Sequence, residues 1–293
     1  AAGPDAGTAG RSVFRYRFIF EKRGRERFLA HLEMMNVIQR ALRRAKMPLH
    51  FSEGFHPHPR ISAGPSLAVG MEGLAEFFDV ELTEEIEPSL DLLNQGLPSG
   101  LRIKAWTGPF ERKEGKLPRE ARYTYLLRFD VLRKLMKSSG APTEILADSE
   151  RMWYLLAQEL GLAGGLGPSE CGSPVDPAQW FEVEWRRMFE RGVSMKNEKG
   201  KERSCAGCSV RRIDDPAAGG SQGAGTGDEP AGTALELVLP GAEGAPRPQD
   251  LLQIFIPKNI ASLVRIQRLE IRYKCGEIFE DPVGLIDPKH QRT

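Results

Sequence analysis

The chain has 293 residues, room for one large domain or two small ones, each able to bury a core. Apolar residues make up 40% and charged residues 28%, near globular averages, and no apolar run approaches the ~20 residues of a membrane-spanning helix, which excludes a helical membrane protein. Forty-one Lys and Arg against forty Asp and Glu leave a net charge of +1, so bulk charge does not argue for a nucleic-acid partner.

The charge is unevenly spread. Residues 11–60 carry twelve Lys or Arg and four acids, whereas residues 61–120 carry six and eleven. Four cysteines and no apolar leader fit a reducing compartment, so a cytoplasmic location is expected. Residues 1–12 start without Met and are mostly small and unpatterned; they read as a linker cut from a longer polypeptide, or as a trimmed terminus.

In chain order, Val13 to Phe20 alternates bulky and basic residues and predicts a strand, with Phe14, Tyr16, Phe18 and Phe20 on one side and Arg15 and Arg17 on the other. Phe28, Leu32, Met35, Ile38, Leu42 and Ala45 recur at steps of three and four and predict an amphipathic helix that Pro48 stops. Its other face carries Arg40, Arg43 and Arg44. After a turn-rich stretch from Phe51 to Gly64, Leu67 to Gly70 and Phe77 to Leu82 read as paired strands. A helix over Ile86 to Gln95 and a strand over Leu101 to Trp106 follow. The order β-α-β-β-α-β predicts an α+β fold with a ferredoxin-like unit over residues 13–110.

A second α+β domain is expected over residues 120–275, giving two such units in tandem. Its expected elements are strands over Tyr123 to Phe129, Phe181 to Met188, Leu235 to Leu239 and Leu263 to Tyr273, with helices over Pro142 to Leu160 and Leu251 to Ile256. Residues 216–233 are rich in Gly, Ala, Ser and Pro and read as a disordered insertion. Residues 276–293 read as a tail.

The densest chemical signal is Phe51-Ser52-Glu53-Gly54-Phe55-His56-Pro57-His58-Pro59-Arg60-Ile61-Ser62. Pro57 and Pro59 fix their own φ and bias His56 and His58 towards extended conformations, so His56, His58 and Arg60 can form one stiff polar edge. With His31 and His50, four of the five histidines fall within residues 31–58. Three readings stand: an anion site, since Arg offers a bidentate fork and His a switchable donor; a metal site lacking any nearby carboxylate or cysteine at a usual spacing; and a proline-locked structural loop. For the anion site, the cations of the helix end, Arg43, Arg44 and Lys46, are expected to join His56, His58 and Arg60. His31, near the helix start and ~22 Å from its end, is not expected to reach the loop. It reads as a half-buried, hydrogen-bonded histidine, with acid or base work as the alternative.

Cys205-Ala206-Gly207-Cys208 is a single CxxC; Cys171 and Cys275 are too distant in sequence to complete a zinc site except through the fold. No cluster, nucleotide or dinucleotide motif is present, so no cofactor and no metal are expected. Arg15, Arg17, Arg265, Arg268 and Arg272 suggest either an open basic sheet face for a nucleic-acid backbone or a solvated face with arginine stems over apolar surface.

The run from Phe28 to Leu82 closely resembles the N-terminal part of the DUF2344 family of radical SAM-linked proteins. The pattern is carried by F-L-x-H-L-x-x-M at Phe28 to Met35 and by the GFHPHPRIS loop at Gly54 to Ser62. The resemblance is strong over Tyr16 to Trp106 and diffuse beyond, and the CxxC and the Gly-rich insertion depart from it. It implies a partner, a radical S-adenosylmethionine domain fused to this chain or encoded nearby. The expected function is therefore an accessory, non-catalytic domain that presents RNA or another anionic molecule, with no membrane partner. The alternative is a metal-independent endoribonuclease, since tandem ferredoxin-like units with a first-helix histidine are similar in outline to the CRISPR repeat-processing endoribonucleases. His31 would then be the base and Arg60 or Lys46 the charge stabiliser. Against it, the C-terminal Gly-rich loop of those nucleases is absent between Lys274 and Thr293.

Overall fold

The structure is a computed structural model. It describes residues 13–111, 116–130, 177–196, 200–214, 233–241, 245–254, 258–275, 277–283 and 291–292. The expected linker 1–12, the expected helix over Pro142 to Leu160 and residues 216–232 of the expected insertion lie outside them. The described residues are α+β, with more strands than helices. It divides into two compact units, Ala1–Ala121 with Glu270–Thr293, and Arg122–Leu269.

In the first unit the elements are β1 (Phe14–Lys22), α1 (His31–Arg44), β2 (Ile61–Ala63), β3 (Glu72–Leu82), α2 (Leu90–Gln95) and β4 (Leu101–Phe110). A 3-10 turn, Gly24–Phe28, leads into α1. β1 pairs antiparallel with both β3 and β4, and β2 pairs antiparallel with β3. The C-terminal part of the chain returns to this unit. Gln291 and Arg292 pair with β4, and Tyr273 sets its ring edge-on to Phe77.

The alternation in β1 acts as expected on one face: Tyr16, Phe18 and Phe20 are buried with Phe78, Val80 and Leu82 of β3 and Ile103 and Trp106 of β4, and α1 and α2 close this core. The core stripe of α1 is Met34, Ile38, Ala41 and Leu42. Here the structure corrects the expected stripe, because Phe28 and Leu32 are exposed. The chain enters α1 only at His31, after the 3-10 turn, and a helix begun there rotates Met34 rather than Leu32 onto the sheet. Leu67 to Gly70, expected as a strand, forms no ladder; β2 takes the place beside β3.

The second face of β1 corrects the open basic surface expected there. Arg17 is wholly buried: its Nε donates to Asp79 Oδ1 at 2.7 Å, its Nη2 to Asp79 Oδ2 at 2.9 Å and its Nη1 to the Pro282 carbonyl at 2.6 Å. The rings of Phe77 and Phe110 flank the guanidinium. Arg15 pairs with Glu81, and Lys22, also buried, donates to the Leu29 carbonyl at 2.8 Å. Registers Arg15↔Glu81 and Arg17↔Asp79 are directly opposed positions of β1 and β3. The basic first segment and its acidic neighbour thus neutralise each other across one ladder.

The second unit contains β5 (Ala121–Arg128, from Arg122 onward), α3 (Pro177–Glu190), β6 (Ser194–Lys196), β7 (Glu202–Ser204), β8 (Ser209–Asp214), β9 (Thr233–Pro240), α4 (Pro248–Leu252) and α5 (Lys258–Ala261). β10 (Arg265–Cys275) contributes Arg265 to Leu269, and β9 pairs antiparallel with β5 on one side and β8 on the other. Residues Phe181 to Met188, expected as a strand, lie inside α3. The alternation Phe181, Val183, Trp185 imitates period two, yet Val183 is exposed while Ala178, Phe181 and Trp185 are buried, a helical spacing. Phe181 stacks on Phe129 with centroids 5.3 Å apart, and Trp185 Nε1 donates to the Leu251 carbonyl at 3.4 Å. Glu182–Arg186 and Glu184–Arg187 pairs line the outer face of α3. Arg268, the other arginine of the expected basic face that is buried, lies over the Tyr123 ring.

Removing one partner of a buried ion pair leaves the other charge desolvated and alone. Arg17→Ala is expected to cost about 3–5 kcal/mol of stability, whereas the double substitution Arg17→Met, Asp79→Leu recovers much of it. Urea denaturation of the three proteins checks this; a single-variant loss below about 1 kcal/mol would show that the pair behaves as a surface bridge.

Candidate anion-binding loop

The histidine-rich segment is built as a small hairpin on the edge of β3. His50 donates its backbone N–H to the Glu81 carbonyl at 2.8 Å, and Glu81 donates to the Arg60 carbonyl at 3.0 Å. Between these anchors the segment folds on itself. Arg60 N–H donates to the His50 carbonyl at 2.9 Å, Ser52 N–H to the His58 carbonyl at 2.8 Å, and His58 N–H to Ser52 Oγ at 3.0 Å. Phe51 and Pro59 face each other across an antiparallel bridge. Gly54, at φ +117°, turns the tip in a conformation that favours glycine, and Phe55 beside it is fully exposed. Pro57 and Pro59 have no N–H to donate, so the stem takes its donors from Ser52, His58 and Arg60.

His56, His58 and Arg60 are exposed, and none of their side chains makes a hydrogen bond or ion pair among the described residues. The loop base reaches the end of α1, where the Arg43 guanidinium lies 5.8 Å from the centroid of the Phe51 ring. Arg44 turns away, towards the Gly96 carbonyl at 3.5 Å. Lys46, exposed and at φ +55°, sits in the left-handed turn that ends the helix. Arg43 also lines an open groove of about 490 Å³ along α1 with Glu33, Asn36 and Arg40. His31 is the first residue of α1, so its Cα lies some ~20 Å along the axis from Arg44. It is half-buried as expected, but its buried Nδ1 has no hydrogen-bond partner among the described residues, which corrects the expectation of a bonded histidine.

The loop is held in place by a group that neither periodicity nor motif spacing marks, His50 with Glu81. His50 Nδ1 lies 3.1 Å from Glu81 Oε2, while Arg15 holds Oε1 of the same carboxylate. The sequence signal for it is a histidine at the base of the hairpin and an acid on the strand that follows. Partial burial pushes the Glu81 carboxyl up, but hydrogen bonds from Arg15 and His50 outweigh it and hold the group below the ordinary carboxylate range. No group of three or more metal-ligating side chains occurs among the described residues, so His56 and His58 lack a third ligand there.

A depressed carboxylate favours the folded state above the unfolded-state pKa, and this contribution fades as pH falls through the folded value. Wild type is therefore expected to lose more stability than Glu81→Gln as pH drops from neutral to below the ordinary carboxylate range. Parallel curves of urea midpoint against pH would show that the Arg15–Glu81–His50 group carries no such linkage.

Comparison with known families places this segment. The model of a family described as an uncharacterized protein conserved in bacteria, DUF2344, matches residues 15–155, which include all but the first residue of β1, the elements from α1 to β5 and the whole loop. No curated protein matches the chain. No helix among the described residues is long and apolar enough to cross a membrane. Over residues 15–155, which carry the candidate site, the chain is thus similar to DUF2344 proteins.

Proposed function

We propose that this protein is an accessory recognition domain, without catalysis of its own, that presents RNA or a similar polyanion to a radical S-adenosylmethionine enzyme fused to it or encoded nearby. The fold proposed for it is a ferredoxin-like first unit followed by a second of the same kind. The observation that carries the reading is the contrast in how the cations are used. Arg15 and Arg17 are consumed by ion pairs across β1 and β3, whereas His56, His58 and Arg60 project on a hydrogen-bonded hairpin with no intramolecular partner among the described residues. The hairpin holds a single acid, Glu53. Stiffness matters, because a pre-formed loop gives up little conformational entropy when an anion binds. Arg43 and Lys46 extend the positive surface beside it.

The nuclease alternative is less well supported. Its proposed base, His31, and Lys46, one of its two proposed charge stabilisers beside Arg60, stand at opposite ends of α1, too far apart to act on one phosphate without a rearrangement.

Polyanion affinity should fall steeply with salt, since several cations release counterions together. His58→Ala with Arg60→Ala is expected to weaken binding of single-stranded RNA and to reduce the salt slope by about 1; equal affinities or a flat salt dependence would refute the anion site. Co-purification with the neighbouring radical enzyme, and altered partner activity when this chain is removed, are the expected results for the accessory role.

A further inference from the structure

The CxxC of the second unit has no part in the anion loop, and its geometry carries a separate conclusion. Cys205 to Cys208 form a tight turn between β7 and β8, closed by the Cys208 N–H donating to the Cys205 carbonyl at 3.1 Å. Gly207 has φ +76° at the third position, as a type II turn requires, and Ala206 has no positive φ. The first and fourth Cα atoms of such a turn lie within ~7 Å, which overlaps the span a disulfide bridges. Cys205 is buried and Cys208 half-exposed.

A zinc site needs four ligands, and among the described residues no third histidine, cysteine, aspartate or glutamate completes the pair. Two-electron chemistry needs only the two sulfurs present. We propose that Cys205 and Cys208 form a redox-active dithiol that exchanges with small disulfides of the glutathione type, Cys208 reacting first and Cys205 resolving.

The step balances as follows. The Cys208 thiol gives its proton to water, and its thiolate attacks one sulfur of the small disulfide, breaks its S–S bond and releases one thiolate, which takes up a proton. Cys205 then gives its own proton to water and attacks Cys208 Sγ, displacing the second thiolate, which is protonated in turn. The protein loses two electrons and two protons and gains the Cys205–Cys208 bond; the reagent becomes two thiols. The ring joins the end of β7 to the start of β8, so oxidation staples the small β6–β7 hairpin to the strand that pairs with β9.

The test uses the full chain equilibrated in graded mixtures of reduced and oxidised glutathione, then alkylated and cut after Arg203 and Arg211, which leaves both cysteines in one peptide. Wild type is expected to give that peptide lighter by two hydrogens as the oxidised fraction rises, reversibly. Cys205→Ser is expected to trap glutathione on Cys208, and in Cys208→Ser the buried Cys205 should be alkylated about tenfold more slowly than Cys208 is in Cys205→Ser. Both cysteines alkylated at every mixture, pairing with Cys171 or Cys275 instead, or tightly held Zn²⁺ that protects both until a chelator is added would each overturn the proposal. The wild-type peptide mass decides even where a variant fails to fold.

Discussion

The Arg17–Asp79 pair is the constraint on which the first unit depends. A guanidinium taken wholly out of water is tolerable only where its donors find acceptors, and Arg17 has the Asp79 carboxylate and the Pro282 carbonyl as acceptors and two aromatic rings beside it. That requirement fixes the register of β1 on β3. A slip of one residue would set Arg17 opposite a core residue of β3 and turn Tyr16, Phe18 and Phe20 out of the core. The same pair also ties the returning C-terminal segment to the sheet, since Pro282 lies 265 residues further along the chain.

The candidate site inherits its position from this ladder. Glu81 stands two residues beyond Asp79 on β3, takes Arg15 from β1 on one oxygen and His50 on the other, and its backbone bonds both stems of the hairpin. The loop that projects His56, His58 and Arg60 is thus anchored through an acid already paired with Arg15. Arg43 and Arg44 have a further role, because cations in the last turn of a helix favourably oppose its C-terminal dipole. The side chains of His56, His58 and Arg60 make no hydrogen bond or ion pair among the described residues.

The second unit shows how local pattern and packing can disagree. Residues 181–185 read as a strand by alternation and fold as helix, because Phe129 and Leu251 offer Phe181 and Trp185 partners on one helical face. Only the partner surface distinguishes an alternating pattern from a helical one over so few residues. The Cys205–Cys208 turn is the opposite case. CxxC with glycine before the second cysteine is a local conformation, and the fold adds only the unequal burial of its two sulfurs.

The amino-acid sequence by itself determined the local terms: an α+β chain, the presence and type of β1, α1, β4 and β9, the apolar side of β1, the proline-stiffened loop and the resemblance to DUF2344 proteins. These follow from periodicity, proline chemistry and motif spacing, which need no knowledge of distant contacts. Tertiary structure decided what each charge does. Arg15 and Arg17 look identical in sequence to cations on an open face, and only their burial against Asp79, Glu81 and Pro282 turns them into internal partners. His50 looked incidental until β3 brought Glu81 to it. Desolvation and pairing depend on which residues meet across tens or hundreds of positions, and that is settled by packing rather than by any local pattern.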